Sequence, residues 1–253
     1  MKLFLGSVTW RTEEVGYSQS MRQLVRYLDA RKIEFTDATV VGDALVSRAR
    51  SIAGSAFLRS DADVMVSIDS DIWFRPEDVV TLAEKAKRYG IIAALYMTRS
   101  LSTQPALMLP PGQEVIFGPG RQPIEVPYAS TGFVAVARRV FERMSQTLPL
   151  CHQGWTDRGT DTSFWPFYMP FVIPSEGEGH IYLSEDWAFC ERAKQQGDKV
   201  WLDPSIRLGH IGSYMYTLED LIRPPRTAAA PLSLQREADG TLRTEPAYHR
   251  AER

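Results

Sequence analysis

An α/β fold, with a mixed and mostly parallel sheet flanked by helices, is what this 253-residue chain predicts. Three observations carry that expectation. Apolar runs alternate with segments of helical period over the first hundred residues, and the alternation then gives way to short strands between Pro- and Gly-rich turns. The composition, 44% hydrophobic and 24% charged, is that of a globular protein with a full core.

Lys2–Val8 reads as the first strand. Ser18 is then placed to cap a helix in which Met21, Leu24, Val25 and Leu28 recur on one face. Leu45–Leu58 repeats the helical period through Ala49, Ile52, Ala53, Ala56 and Phe57, and Val64–Ile68 follows as an apolar strand. Pro76 opens another helix, with Glu77 and Asp78 in its first turn, Val79, Leu82, Ala83 and Ala86 along its apolar face, and Gly90 at its end. Ile91–Met97 is the next strand, and covered parallel strands of this kind read as continuous apolar runs. Beyond Thr98, Ala106–Leu109, Glu114–Phe117, Ile124–Tyr128 and Phe133–Ala137 read as strands, so the sheet becomes mixed. Residues 146–181 have little periodicity and many aromatics, the mark of a functional or disordered loop. Ser184 caps a further helix that Gly197 ends. After Arg223 no periodic apolar positions remain, which predicts one folded unit over residues 1–222 and a flexible tail over 223–253.

Charge and cysteine content narrow the function classes. With 29 basic and 31 acidic residues, the net charge of −2 lacks the positive field that nucleic-acid binding requires. Cys151 and Cys190 form no C-x-x-C pattern, so neither a disulfide framework nor a zinc site is indicated and a reducing cytoplasm is expected. The apolar stretch within Met1–Trp10 is too short for a signal sequence or a membrane span, leaving peripheral membrane contact as the one membrane association open to the chain. Neither a P-loop nor a G-x-G-x-x-G fingerprint is present, so kinase and dehydrogenase readings lack support.

The strand Val64–Ile68 runs into Asp69-Ser70-Asp71. Residues i and i+2 of a strand face the same side, so the two carboxylates are expected to meet at one hard cation, at the sheet edge where open α/β sheets bind ligands. Turn formation and capping before Pro76 is the structural alternative. Asp61 and Asp63 repeat the spacing at the opposite edge and read as solvated turn residues. A second cluster is Ser184-Glu185-Asp186, two acids at a helix start, and His210 follows as a ligand candidate or a core histidine.

Asp69-Ser70-Asp71, Ser184-Glu185-Asp186 and His210, together with the Arg-containing helix Ser47-Arg48-Ala49-Arg50-Ser51 ahead of the D-x-D strand, resemble the nucleotide-sugar glycosyltransferases of the GT-A fold over residues 1–215. The resemblance implies a GT-A-like, Rossmann-type sheet with a nucleotide-sugar-binding half (1–100) and an acceptor-binding half (101–222). It implies transfer of a sugar from a UDP- or GDP-sugar to a hydroxyl of a glycan, glycolipid or other acceptor. It further implies a manganese or magnesium ion held by Asp69, Asp71 and His210, with Asp69 on the metal or the donor ribose. Imidazole favours manganese among these ions.

Arg48 and Arg50 are candidates for the diphosphate, with solvated helix positions or pairing to the aspartates as the alternatives. Ser70 belongs with them on the donor side. Thr131-Gly132 resembles the small-residue loop that faces the sugar. Asp186, beside Glu185, matches the general base of inverting members. Trp155 and Trp165 offer flat faces for an acceptor sugar, against packing of that loop on itself. Two rivals accompany this reading: a haloacid-dehalogenase-like phosphatase with Asp69 as nucleophile, and a non-catalytic nucleotide-sugar-binding module.

Overall fold

The computed structural model describes residues 1–99, 104–110, 112, 114–152, 163–175, 177, 179–222, 232–239 and 242–246. Its central sheet has seven strands: β1 (Leu3–Thr9), β2 (Phe35–Val41), β3 (Val64–Ile68), β4 (Ile91–Ala94), β5 (Ile124–Glu125), β6 (Phe133–Ala137) and β7 (Val200–Asp203). They lie in the order β2-β1-β3-β6-β4-β7-β5. β1 is parallel to β2 and β3, and β4 is parallel to β7. β6 runs antiparallel between β3 and β4, and β5 runs antiparallel along β7.

The helices are α1 (Val15–Arg31), α2 (Val46–Arg59), α3 (Pro76–Tyr89), α4 (Arg138–Ser145) and α5 (Glu185–Gln195). Strand alternation sends Phe4, Met65, Val134 and Val136 to one face, where they meet Phe57 of α2, Phe141 of α4 and Phe189 of α5. Leu3, Leu5, Val64, Val66 and Ala135 go to the other, against Leu24 and Leu28 of α1 and Val79 and Leu82 of α3. A sheet covered on both faces explains why β3 and β6 are buried at every position and apolar at all but Ser67.

Several expectations are corrected. Helix α1 begins at Val15, so Ser18 lies inside it and its hydroxyl bonds Glu13 Oε2 at 3.1 Å. β2 is an edge strand whose half-exposed Thr and Asp positions hid it among polar residues. Only Ile91–Ala94 of the segment 91–97 joins the ladder, and the segment 124–128 splits into β5 and a pair at Tyr128–Ala129 that joins Leu107–Met108. The aromatic stretch is no solvent loop where it is described: Phe167 and Tyr168 are fully buried against Phe141 and Phe189. Part of the supposed tail forms an antiparallel hairpin, Leu232–Arg236 with Leu242–Pro246, whose second strand pairs with Ile116–Phe117. The two halves share one sheet, because β6 of the second half sits between two strands of the first.

Candidate functional site

A cleft of about 470 Å³ opens at the carboxyl ends of β1 and β3, lined by Thr9, Trp10, Asp43, Arg50, Asp69 and Asp71 among others. β3 stops at Ile68 and the chain turns at Ser70–Asp71, with Ile72 N–H donating to the Asp69 carbonyl at 3.1 Å. Asp69 and Asp71 therefore leave the strand before the two-residue period can aim them together. Each goes to its own partners.

Asp69 is clamped by Arg50, whose Nη1 and Nη2 donate to its two oxygens at 2.8 and 2.9 Å. Helix α2 delivers Arg50 with its side chain 6% exposed, and Nε stands 3.8 Å from Asp186 Oδ1. Burial works against the Arg50 charge, but Asp69 and Asp186 more than offset it and hold the guanidinium firmly protonated. Asp186 in turn accepts from Ser130 Oγ at 3.0 Å and from Thr131 Oγ1. Gly132 closes the box. Its carbonyl accepts from Asp69 N–H at 2.8 Å, and a Cβ there would lie 2.4 Å from the Tyr96 hydroxyl and 2.6 Å from Asp69 Oδ2, so only glycine fits. Burial, then the Asp69 and Asp186 charges, push the Tyr96 phenol well above its ordinary range.

Asp71 keeps different company. The short strand Gly209–Ile211 pairs antiparallel with Ile72–Trp73, and Ile211 N–H donates to the Asp71 carbonyl at 2.8 Å, which brings His210 alongside. His210 Nδ1 is 2.6 Å from the Met97 carbonyl and therefore carries the proton of that bond. That leaves Nε2 facing Asp71 Oδ2 at 3.4 Å. Arg99 Nη1 is 3.0 Å from the same Oδ2. Asp71 Oδ1 is buried with no hydrogen-bond partner among the described residues. Desolvation pushes the Asp71 carboxyl up, but His210 and Arg99 outweigh it and leave its pKa lowered.

The three-residue metal set is corrected on this geometry. No three His, Cys, Asp or Glu side chains converge as a metal site among the described residues, because Arg50 has taken both oxygens of Asp69. Asp71 and His210 do fit a divalent ion as a pair. One offers an orphaned anionic oxygen, the other a nitrogen oriented by a backbone carbonyl. Magnesium and manganese commonly take one or two protein ligands and complete their shells with substrate phosphate and water.

The other sequence candidates divide. Arg48 forms a bidentate pair with Asp43, both contacts 2.7 Å, which braces the start of α2 and holds the Asp43 carboxyl below its ordinary value. Ser70 lines the cleft. Glu185 is half-buried beside Asp186, and burial followed by the Asp186 charge raises its pKa. Trp165 is not gathered with these residues: its ring meets Phe167 and Arg59, and its backbone N–H donates to Ser55 Oγ. Trp155 lies outside the described residues. Sequence reasoning missed Trp10, Asp43, Tyr96, Arg99 and Ser130. All five lie one or two residues past a strand or bridge, a placement that could have flagged them.

No protein-family model and no curated protein sequence matches this chain. Among solved structures it is similar to A197 from STIV, at 14% identity over 84% of this chain and 86% of that one, with a TM-score of 0.50. The likeness shows the fold. GalNAc-T7, solved with UDP, GalNAc and Mn2+, aligns at 11% identity over 83% of this chain and 44% of its own, with a TM-score of 0.48. A Drosophila β1,4-galactosyltransferase 7 mutant, solved with manganese, UDP-Gal and xylobiose, aligns at 12% identity over 91% and 77%, with a TM-score of 0.42. The mixed α/β sheet expected from the sequence is the sheet the chain has.

Proposed function

We propose that the protein is a glycosyltransferase that moves a sugar from a nucleoside-diphosphate sugar to an acceptor hydroxyl, with Asp71 and His210 as the protein ligands of a manganese or magnesium ion. The observation that carries this reading is the buried Asp71 Oδ1, unpartnered among the described residues, with His210 Nε2 facing the same carboxylate, at the mouth of the cleft. A divalent ion there would neutralise charge growing on the leaving diphosphate.

The chain's own residues supply the rest. Trp10, Val46 and Asp43 offer an apolar wall and a polar edge for a nucleoside. Arg50 holds Asp69 rigid at the base of the cleft, and Thr131-Gly132 is the proposed sugar-facing loop, its glycine making room for the Tyr96 hydroxyl and the Asp69 carboxylate. Asp186 is the proposed base, kept in place by Ser130, Thr131 and Arg50, and Glu185 is its neighbour on the acceptor side. The hairpin Phe171–Pro174 and His180–Leu183, leading into α5, exposes Val172 and Tyr182 and is the proposed acceptor-side surface for a glycan or glycolipid. The phosphatase rival asks Asp69 to attack phosphorus, which a carboxylate with both oxygens bound to a buried guanidinium does poorly. No helix among the described residues is long and apolar enough to cross a membrane.

The test is paired. Asp186→Asn should lower transfer by roughly two to four orders of magnitude while manganese-dependent binding of UDP or GDP, read by calorimetry, stays near wild type. Retention of anomeric configuration in the wild-type product, read by proton NMR, would remove the base role from Asp186. Donor binding indifferent to Asp71→Ala would remove the metal role from Asp71.

A further inference from the structure

Asp71 already holds a cation, and it is the side chain of Arg99. The guanidinium bridges two elements: Nη1 is 3.0 Å from Asp71 Oδ2 and donates to the Ile211 carbonyl at 3.1 Å. Its stem crosses Gly212, where a Cβ would lie 3.0 Å from Arg99 Cδ. The oxygen that Arg99 takes is the one His210 Nε2 faces at 3.4 Å, while Oδ1 is left without a donor. Two groups, Arg99 and His210, therefore share one side of a carboxylate whose other side is unmatched among the described residues.

The two arginines of the cleft differ in how firmly they are placed. Arg50 is buried and balanced by two carboxylates, whereas the Arg99 side chain is 44% exposed and has Asp71 alone as an acidic partner, with a backbone carbonyl beside it. An arginine so exposed gives up its ion pair at small cost, because such pairs contribute about 1 kcal/mol or less. A divalent ion seated between Asp71 and His210 would stand close to the guanidinium, and at that range two positive charges repel by far more than the pair is worth.

We propose that Arg99 is a built-in competitor of the divalent ion at Asp71: it neutralises the carboxylate in the ion-free protein and has to leave Oδ2 when the ion loads. This rests on the reading of Asp71 and His210 as ion ligands. Ion binding in the absence of nucleotide is then weaker than the ligand set alone would give, because every binding event also breaks the Arg99 contacts to Asp71 and Ile211.

The experiment is a titration of the full-length protein with manganese chloride alone, followed by calorimetry and by the loss of the free Mn2+ signal in electron paramagnetic resonance. Wild type, Arg99→Gln, Asp71→Asn and the double variant are compared, each with a thermal melt to establish that it is folded. Arg99→Gln should bind Mn2+ about tenfold more tightly than wild type, an advantage that shrinks as salt is raised. Asp71→Asn should abolish binding in both backgrounds. Manganese binding that depends on Asp71 but is unchanged or weakened in Arg99→Gln overturns the competition and leaves the ion site standing. Binding that survives Asp71→Asn undiminished, or is absent from every protein, overturns the ion site and the competition with it.

Discussion

Around Asp69, Arg50 fills both carboxylate oxygens and is itself buried between two acids; around Asp71, two residues on, one oxygen is shared by Arg99 and His210 and the other has no donor. The first arrangement matches both oxygens of its carboxylate and leaves only the Arg50 Nε donor without a hydrogen bond among the described residues, so it holds shape and offers no ligand to a cation. The second has unmet capacity, so it can take a ligand. A shared D-x-D spacing thus conceals two jobs, and the environment of each carboxylate assigns them.

The largest effect should come from opening the first arrangement. Arg50→Met leaves the partly buried Asp69 and Asp186 without the buried cation between them and should cost about 3 kcal/mol of stability, measured by urea unfolding. Asp71→Asn, which breaks a pair with a half-exposed arginine, should cost about 1 kcal/mol or less in the same assay. Similar losses in the two variants would erase the distinction.

A second and smaller effect concerns the wall of the closed box. Gly132→Ala drives a methyl group into the Tyr96 hydroxyl and Asp69 and should cost about 1–3 kcal/mol. Tyr96→Phe in the same chain removes the nearer of the two clashing atoms and should return part of the loss.

The smallest effect sharpens the electrostatic contrast by pH. Glu185 has a raised folded-state pKa, so the stability it contributes is present below about pH 4 and is lost as the pH climbs through the raised value. Glu185→Gln should therefore be the more stable protein at pH 7, by no more than about 1 kcal/mol, and lose that lead in acid. Asp71 has a lowered one, so its contribution is present above about pH 4 and fades as the pH falls through the lowered value. The stability gap between wild type and Asp71→Asn should accordingly close toward acid pH. Opposite pH trends are the signature, read from melts between about pH 3 and pH 8.

The sequence made legible what local rules decide. Pro76 at the start of α3, Gly90 at its end and Ser184 ahead of α5 stand where their backbone preferences put them, and the apolar run Val64–Ile68 is the buried strand it resembles. What stayed hidden depends on partners distant in sequence. The two-residue rule for Asp69 and Asp71 fails because Gly132, 63 positions from Asp69, ends the ladder and accepts the Asp69 N–H. The Arg50 clamp and the His210 clasp are likewise contacts that no spacing announces. The hairpin after residue 231 is another case. Leu232-Ser-Leu and Leu242-Arg-Thr flank an Asp239-Gly240 turn signal, but the Pro- and Ala-rich run before them drew the whole segment into the reading of a tail.

The insertion of β6 between β3 and β4 has a consequence for the order in which this protein can be made. A chain emerging from the ribosome presents β1, β2, β3 and β4 first, yet β3 and β4 have no ladder with each other: each binds only to β6 on that side, through Ile68–Val64 and Ala93–Ile91. Until Phe133–Ala137 is synthesised, β3 has no neighbour on that side and β4 has none at all, because its other partner, β7, is Val200–Asp203. Unpaired apolar strands of this kind are open to wrong pairings until the later strands arrive.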